Sequence, residues 1–413
     1  MQKKIAMVAM IIALASGCTG EGASSSSAPS STSNSVFNTS SRVSSSSSSV
    51  SSVPVSSLSS AVSLSSSSSA IGQANSDLVG FATVPAYGVQ TTTGGAAGRT
   101  VIAATYEDLV AYAGSDEALT IEIRGTLSGP VTGYEKVRVA SNKTIIGVGT
   151  DATFSEIGLR VGGLVGCSDA YNEANNYVSN VIIRNIKFTN IYDTKSNPDA
   201  DGVTIECFSH HVWVDHNTFI YKPVAGVSAG SFDGALDSKR GADYITLSWN
   251  HFYHYDKVSL VGHVDTNSLQ DAGRLHVTFH HNYYENTQQR HPLLRFGKVH
   301  TFNNYVFNNK ARGSQIGYFA SVRAGAEIYI EGNYFDIDSG EFAFVNEDSG
   351  SDIKVTIVPD NIIDLVNPNA DTVIHVNNGN AFNPSDFYDY SHVLDSAESL
   401  PVLVPAMAGA GKL

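Results

Sequence analysis

Five short sequences between residues 199 and 298 hold most of the side chains able to do chemistry. In chain order they are Asp199-Ala200-Asp201-Gly202, Val212-Trp213-Val214-Asp215-His216, Asp233-Gly234-Ala235-Leu236-Asp237, His254-Tyr255-Asp256-Lys257 and Arg290-His291-Pro292-Leu293-Leu294-Arg295-Phe296-Gly297. Asp199 and Asp201 point to one side of an extended segment, and Asp233 with Asp237 follow from a neighbouring one. A lone Asp pair in a loop is ordinary turn chemistry. Two pairs followed by cations read instead as a site for Ca2+, a hard ion that takes several oxygen ligands in flexible geometry. No Cys/His cluster has the spacing of a zinc site, and no nucleophile elbow is visible. The histidines from His210 to His300 mostly fall at alternating strand positions. Asp215 and His216 are expected to support the site from beneath.

Lys257, Arg290 and Arg295 are the candidate substrate-facing cations. Pro292 stiffens the chain between the two arginines, which suits guanidinium forks held toward carboxylates. The chain carries a net charge of −14, yet Arg274 to Lys298 holds four Lys or Arg and a single acid, Glu285. A polyanion repelled by the whole molecule is accepted at such a strip, the more so with Ca2+ neutralising the carboxylates. No nucleic-acid partner is expected.

Repeats supply the elements that position these groups. Val212 to Phe219, Ile245 to Phe252, Val277 to Tyr284 and Ile328 to Phe335 each alternate β-branched or aromatic residues, then place Asn, then an aromatic two residues on. Val299 to Val306 fits with Val in the aromatic place, and Ile182 to Phe188 fits with its Asn185 displaced by one. Asn217, Asn250, Asn282, Asn304 and Asn333 recur every 22 to 33 residues. Strand-rich units at such a period predict an all-β solenoid, a parallel β-helix in which stacked asparagines form a hydrogen-bonded ladder. Unequal coil lengths put functional loops on one face. Thr105 and Asp108 form a capping box for a short helix over 105–112 that closes the N-terminal end. After Asp336 the pattern loosens, and the tail from Asn383 to Leu413 is expected along the outside. An immunoglobulin-like sandwich would not repeat an Asn register.

The N-terminus reads as a basic start, an apolar run from Ile5 to Ala15 and Ser16-Gly17-Cys18, a secretory signal too short to span a membrane. Cys18 fits a lipobox whose sulfur is acylated, although Leu14 stands four residues before it and Ala15 takes the usual place. Ala23 to Gln73 is mainly serine with Arg42 as its only charge, a flexible tether. The expected organisation is therefore a signal over 1–17, a linker over 18–76 and one domain over 77–413. Membrane contact is expected only through Cys18, on an exported or surface-held monomer. Cys167 and Cys207 allow one disulfide or two buried thiols.

From Gly80-Phe81-Ala82 to the final Gly411-Lys412-Leu413, the chain resembles the pectate lyases of polysaccharide lyase family 1. Its most specific matches are Val212-Trp-Val-Asp-His216 and Arg290-x-Pro-x-x-Arg295. The resemblance implies a right-handed parallel β-helix that cleaves polygalacturonate by calcium-assisted β-elimination. It further implies Ca2+ ligands at Asp199, Asp201, Asp233 and Asp237, carboxylate binding by Lys257 and Arg295, and Arg290 as the base that removes the C5 proton. The family often has Glu at the place of Asp233, so ligand distance is in question there. Positive charge at Lys257, Arg295 and Ca2+ disfavours a further charge at Arg290, and the expected optimum is alkaline. Pectin lyases share the fold but act on esterified chains without calcium, which the four acids argue against. Polygalacturonases share an Asp-x-Asp-Gly motif, but their Gly-His-Gly and Arg-Ile-Lys are missing. A silent pectin-binding β-helix is opposed by the intact Arg290.

Overall fold

The structure, a computed structural model, describes residues 78–163, 167, 170–194, 199–310, 316–338, 342–347, 352–366 and 380–413. The signal run, Cys18 and the serine-rich linker lie outside the described residues. Among the described residues the strands form three sheets of ten, nine and eight members, and every strand pairs in parallel with the equivalent strand of the next coil. One coil runs from His210–Asp215 in the ten-stranded sheet to Thr218–Ile220 in the nine-stranded sheet and Leu236–Ser238 in the eight-stranded sheet. The next runs through Asp243–Ser248, His251–Tyr253 and Leu260–Val261. This is the expected parallel β-helix.

The repeats specify the coil through one sharp corner. Between the ten- and nine-stranded sheets only two residues intervene, the first with positive φ (His216, Trp249, His281, Asn303 and Gly332) and the second a ladder asparagine. Each ladder Oδ1 accepts the backbone N–H of the preceding ladder residue, at 3.1 Å from Asn217 to Asn250, 3.0 Å from Asn250 to Asn282 and 2.9 Å from Asn282 to Asn304. The Nδ2 groups donate along the same line, so the buried corner leaves no amide wanting. Asn361 extends the ladder by one rung that the sequence pattern did not suggest, because Ile362 and Ile363 follow it rather than an aromatic. Asn185 is off the ladder, as its displacement predicts. The rung there is filled by the backbone N–H of Ile186, and Asn185 caps the carbonyls of Gly147 and Gly149 instead.

The residue two places beyond each corner position points inward, and in most coils it is aromatic. Phe188, Phe219, Phe252 and Tyr284 stack in file, with ring centroids 4.9, 5.2 and 5.2 Å apart. Each is fully buried and contributes about 1.5–3 kcal/mol by leaving water. The helix Tyr106–Ala113 carries the Thr105/Asp108 capping box and buries Leu109 and Ala113 in the core. Past Asp336 the loosened pattern still builds Ala343–Glu347, Lys354–Ile357 and Ile362–Leu365. The last segment does pack outside. Ala397, Leu400, Val404 and Ala408 lie on Trp249, Tyr283, Tyr305 and Tyr334, which come from successive coils. Near the start of the described residues, the N–H groups of Phe81 and Ala82 donate to Thr278 and Thr246 of the ten-stranded sheet. Cys167 and Cys207 are joined as a disulfide, with Cα atoms 4.8 Å apart.

Candidate active site

Since the first corner is only two residues long, extra chain length enters elsewhere, in the connections from the nine- to the eight-stranded sheet and in some from the eight- to the ten-stranded sheet. Asp199, Asp201, Asp233, Lys257 and Arg290 all sit in the former connections, while Asp237 and Arg295 lie on the eight-stranded sheet itself. Along that sheet alternate residues face out. Leu236 and Leu294 enter the core, so Asp237 and Arg295 do not.

Asp199, Asp201 and Asp233 each offer an oxygen within 4.8 Å of the others. Asp201 is wholly buried. Its Oδ1 accepts the Gly234 N–H at 2.9 Å, and its Oδ2 takes the Thr204 hydroxyl at 2.8 Å and the ammonium groups of Lys136 and Lys239 at 3.1 and 3.3 Å. Burial pushes the Asp201 carboxyl upward, but Lys239 and Lys136 outweigh it and hold the group well below the usual carboxylate range. Asp199 is exposed and shares both lysines, at 3.0 and 3.3 Å. Asp237 lies beside this trio, accepting the Leu260 N–H at 2.9 Å. Burial first, and then the charge of Asp201, pushes its carboxyl up to about 7 against the pull of Lys239. The donor set is all oxygen and closely spaced, which fits a hard cation. Asp201 Oδ2 is taken up by Thr204, Lys136 and Lys239, but its Oδ1 accepts a single N–H and keeps acceptor capacity beside Asp199, Asp233 and Asp237.

The cations stand on the following coils. Lys257 pairs with Asp233 at 3.2 Å and bridges in parallel to Gln289, which brings Arg290 directly below Ser259 through the bond from Ser259 N–H to the Arg290 carbonyl. Arg290 adopts positive φ, and its Nε is buried without a partner among the described residues. The next residue, His291, is buried and hydrogen-bonded to Thr287 at 2.8 Å. Burial pushes its imidazole down to about 4, so it is a neutral anchor for the turn. Arg295 contacts Asp265 through Nε and reaches the Gly262 carbonyl at 3.4 Å.

Residues 53–413 match the family model for pectate lyases. The chain belongs to the pectate lyase family. A pectate trisaccharide-lyase of Thermotoga maritima is 34% identical over 362 residues, covering 82% of this chain and 90% of the relative. Among solved structures, a thermostable pectate lyase aligns with TM-score 0.63 at 27% identity, covering 81% of this chain and 97% of that one. A pectate lyase of Bacillus sp. N165 in complex with trigalacturonate aligns with TM-score 0.61 at 28% identity, covering 81% and 99%. The protein is thus a polysaccharide lyase built on the parallel β-helix.

Within this pectate lyase the structure does not bring Asp215 and His216 to the carboxylates, contrary to the supporting role expected from the sequence. They end a strand of the ten-stranded sheet, where Asp215 binds Arg184 at 2.7 Å, the His216 ring at 2.7 Å and the Ser248 hydroxyl. His216 stacks on Trp249, beneath the C-terminal segment. Sequence reasoning also missed Lys136, Lys239 and Tyr134. Lys239 was within reach of it, since it lies two residues after Asp237 and must share its face. Lys136 gave no local signal, being 63 residues from Asp199 along the chain. It reaches Asp201 by passing over Gly158 of the intervening coil, and Tyr134 passes the same way to the Asp201 carbonyl at 2.6 Å.

Proposed function

We propose that the protein cleaves α-1,4-linked polygalacturonate by β-elimination, with Ca2+ held by Asp199, Asp201, Asp233 and Asp237. The observation that carries this reading is the placement of an oxygen-only carboxylate cluster and three cations, Lys257, Arg290 and Arg295, along successive coils of one sheet edge. A linear uronate lying along the coils would meet them in turn. Bound calcium would withdraw charge from a uronate carboxylate and so acidify the adjacent C5–H. Lys257 and Arg295 bind carboxylate groups and fix the sugar. Arg290 takes the C5 proton as the C4–O bond breaks and the C4–C5 double bond forms, and solvent protonates the departing oxygen. Turnover is expected to rise with pH. We infer also that the chain is exported and held at the cell surface as a monomer through Cys18 and the serine-rich linker.

The test is the ultraviolet absorbance of the conjugated product on polygalacturonate at alkaline pH, with calcium, with chelator, and with Arg290→Ala. The expected result is a rise only in the first case, the variant losing roughly 100-fold or more of kcat. New reducing ends without absorbance would indicate hydrolysis. Binding without cleavage would leave a pectin-binding protein.

A further inference from the structure

Arg295 has a neighbour that the reading above leaves unused. Arg295 and Arg323 face each other in register on adjacent strands of the eight-stranded sheet, Leu293–Arg295 and Tyr318–Arg323. Two like charges directly across a strand pair repel. The repulsion is relieved by one carboxylate: Asp265 receives Arg295 Nε on Oδ1 and faces Arg323 Nη1 from Oδ2 at 3.6 Å. Asp265 is about half exposed, whereas the Arg295 side chain is 12% exposed. The segment that carries Asp265 is held firmly. Buried Asp271 accepts the N–H groups of Gly241 at 2.7 Å and His263 at 3.1 Å, and the Asn267 amide at 2.7 Å. An anchored loop thus presents a carboxylate to two guanidinium groups at the edge where a uronate chain would run.

We propose that Asp265 occupies, in the free protein, the place of a substrate carboxylate, and that a uronate binds between Arg295 and Arg323 by exchanging with it. The proposal rests on the polygalacturonate reading and names a specificity device within it. An ionised uronate replaces one carboxylate by another and leaves both arginines paired as they were. A methyl ester offers no charge, so Asp265 keeps its partners and the esterified sugar gains nothing at this position. The exchange lowers affinity for every uronate and excludes the ester most.

The test is calorimetric binding of a de-esterified oligogalacturonate, in the presence of calcium, to the wild type, Asp265→Asn and Arg323→Ala. Asp265→Asn keeps the side-chain shape and removes the charge, and a melting curve for each variant verifies folding. The expected result is a Kd roughly three-fold lower in Asp265→Asn, the scale of a half-exposed ion pair, and higher in Arg323→Ala. Weaker binding by Asp265→Asn would show that Asp265 only positions Arg295, and unchanged binding that it does not compete. Either result overturns the proposal, as does absence of binding to all three proteins. Because binding is read without turnover, a wild type that binds but forms no unsaturated product would defeat the lyase chemistry and leave the exchange standing.

Discussion

Gly158 is glycine because the Tyr134 side chain must cross it to reach the Asp201 backbone. A Cβ there would lie 2.4 Å from the Tyr134 hydroxyl oxygen and 2.5 Å from the Asp201 carbonyl oxygen, distances no real contact tolerates. Gly158→Ala is therefore expected to push Tyr134 and Asp201 apart and displace the buried carboxylate that Lys136 and Lys239 grip. Overpacking of this kind costs about 1–3 kcal/mol. Calcium titration and thermal melting of the variant check it, the expected outcome being weaker calcium binding together with a lower Tm. At this scale the sequence was informative about acids and less so about their partners. Asp199, Asp201 and Asp233 announce themselves by residue type and pairing. Lys136 does not, because which residue of an earlier coil overlies Asp201 depends on register, and register is set by coils of unequal length. Asp215 and His216 misled for the opposite reason. Their motif is conspicuous, but its residues are consumed in a buried network with Arg184, Ser248 and Trp213 on another sheet.

The corner ladder shows how one residue type can fix an element. Asn250 accepts the Asn217 N–H, donates to Asn282 Oδ1 and also donates to the Val214 carbonyl at 2.9 Å. Asn250→Ala would strand several buried polar groups at once, each costing about 1–3 kcal/mol. The expected loss is about 3 kcal/mol or more by chemical denaturation. Asn185→Ala, off the ladder, is expected to lose less than half of that, and equal losses would count against the ladder as the organising feature. The ladder was legible because it repeats with strict local grammar: alternating residues, Asn, then an inward aromatic. Its last rung at Asn361 was not, because Ile363 takes the register place of Phe335 and packs against the core only partly buried, which breaks the visible pattern. The capping helix was legible from two residues, Thr105 and Asp108, since a capping box is a strictly local device.

At the scale of the whole molecule, the buried histidines make stability depend on pH. Burial pushes the imidazoles of His210 and His291 down to about 4, and it also lowers those of His280, His281 and His300. A group that binds a proton more weakly in the folded state favours unfolding once the unfolded chain protonates. Its contribution is whole above about pH 6.5 and drains away as pH falls toward the lowered value. His210 and His291 alone represent on the order of a few kcal/mol each by pH 4. Tm is expected to be level from pH 9 to 7 and to fall by many degrees toward pH 5, with a flat profile over that lower range excluding the account. Activity measured beside the melting curves separates loss of the fold from the pH dependence of the reaction itself.

The C-terminal segment gives these coils a common fate. A stack in which each rung meets only its neighbours can fray from an end and unzip rung by rung. Here Leu400 and Val404 press on aromatic rings of several rungs, Asp395 pairs with His281, Ala410 N–H reaches Thr218 and Gly411 N–H reaches Asn185. The last residues of the chain lie along the stack as a splint does along a limb. No rung between Asn185 and Ile362 can peel away alone without lifting it.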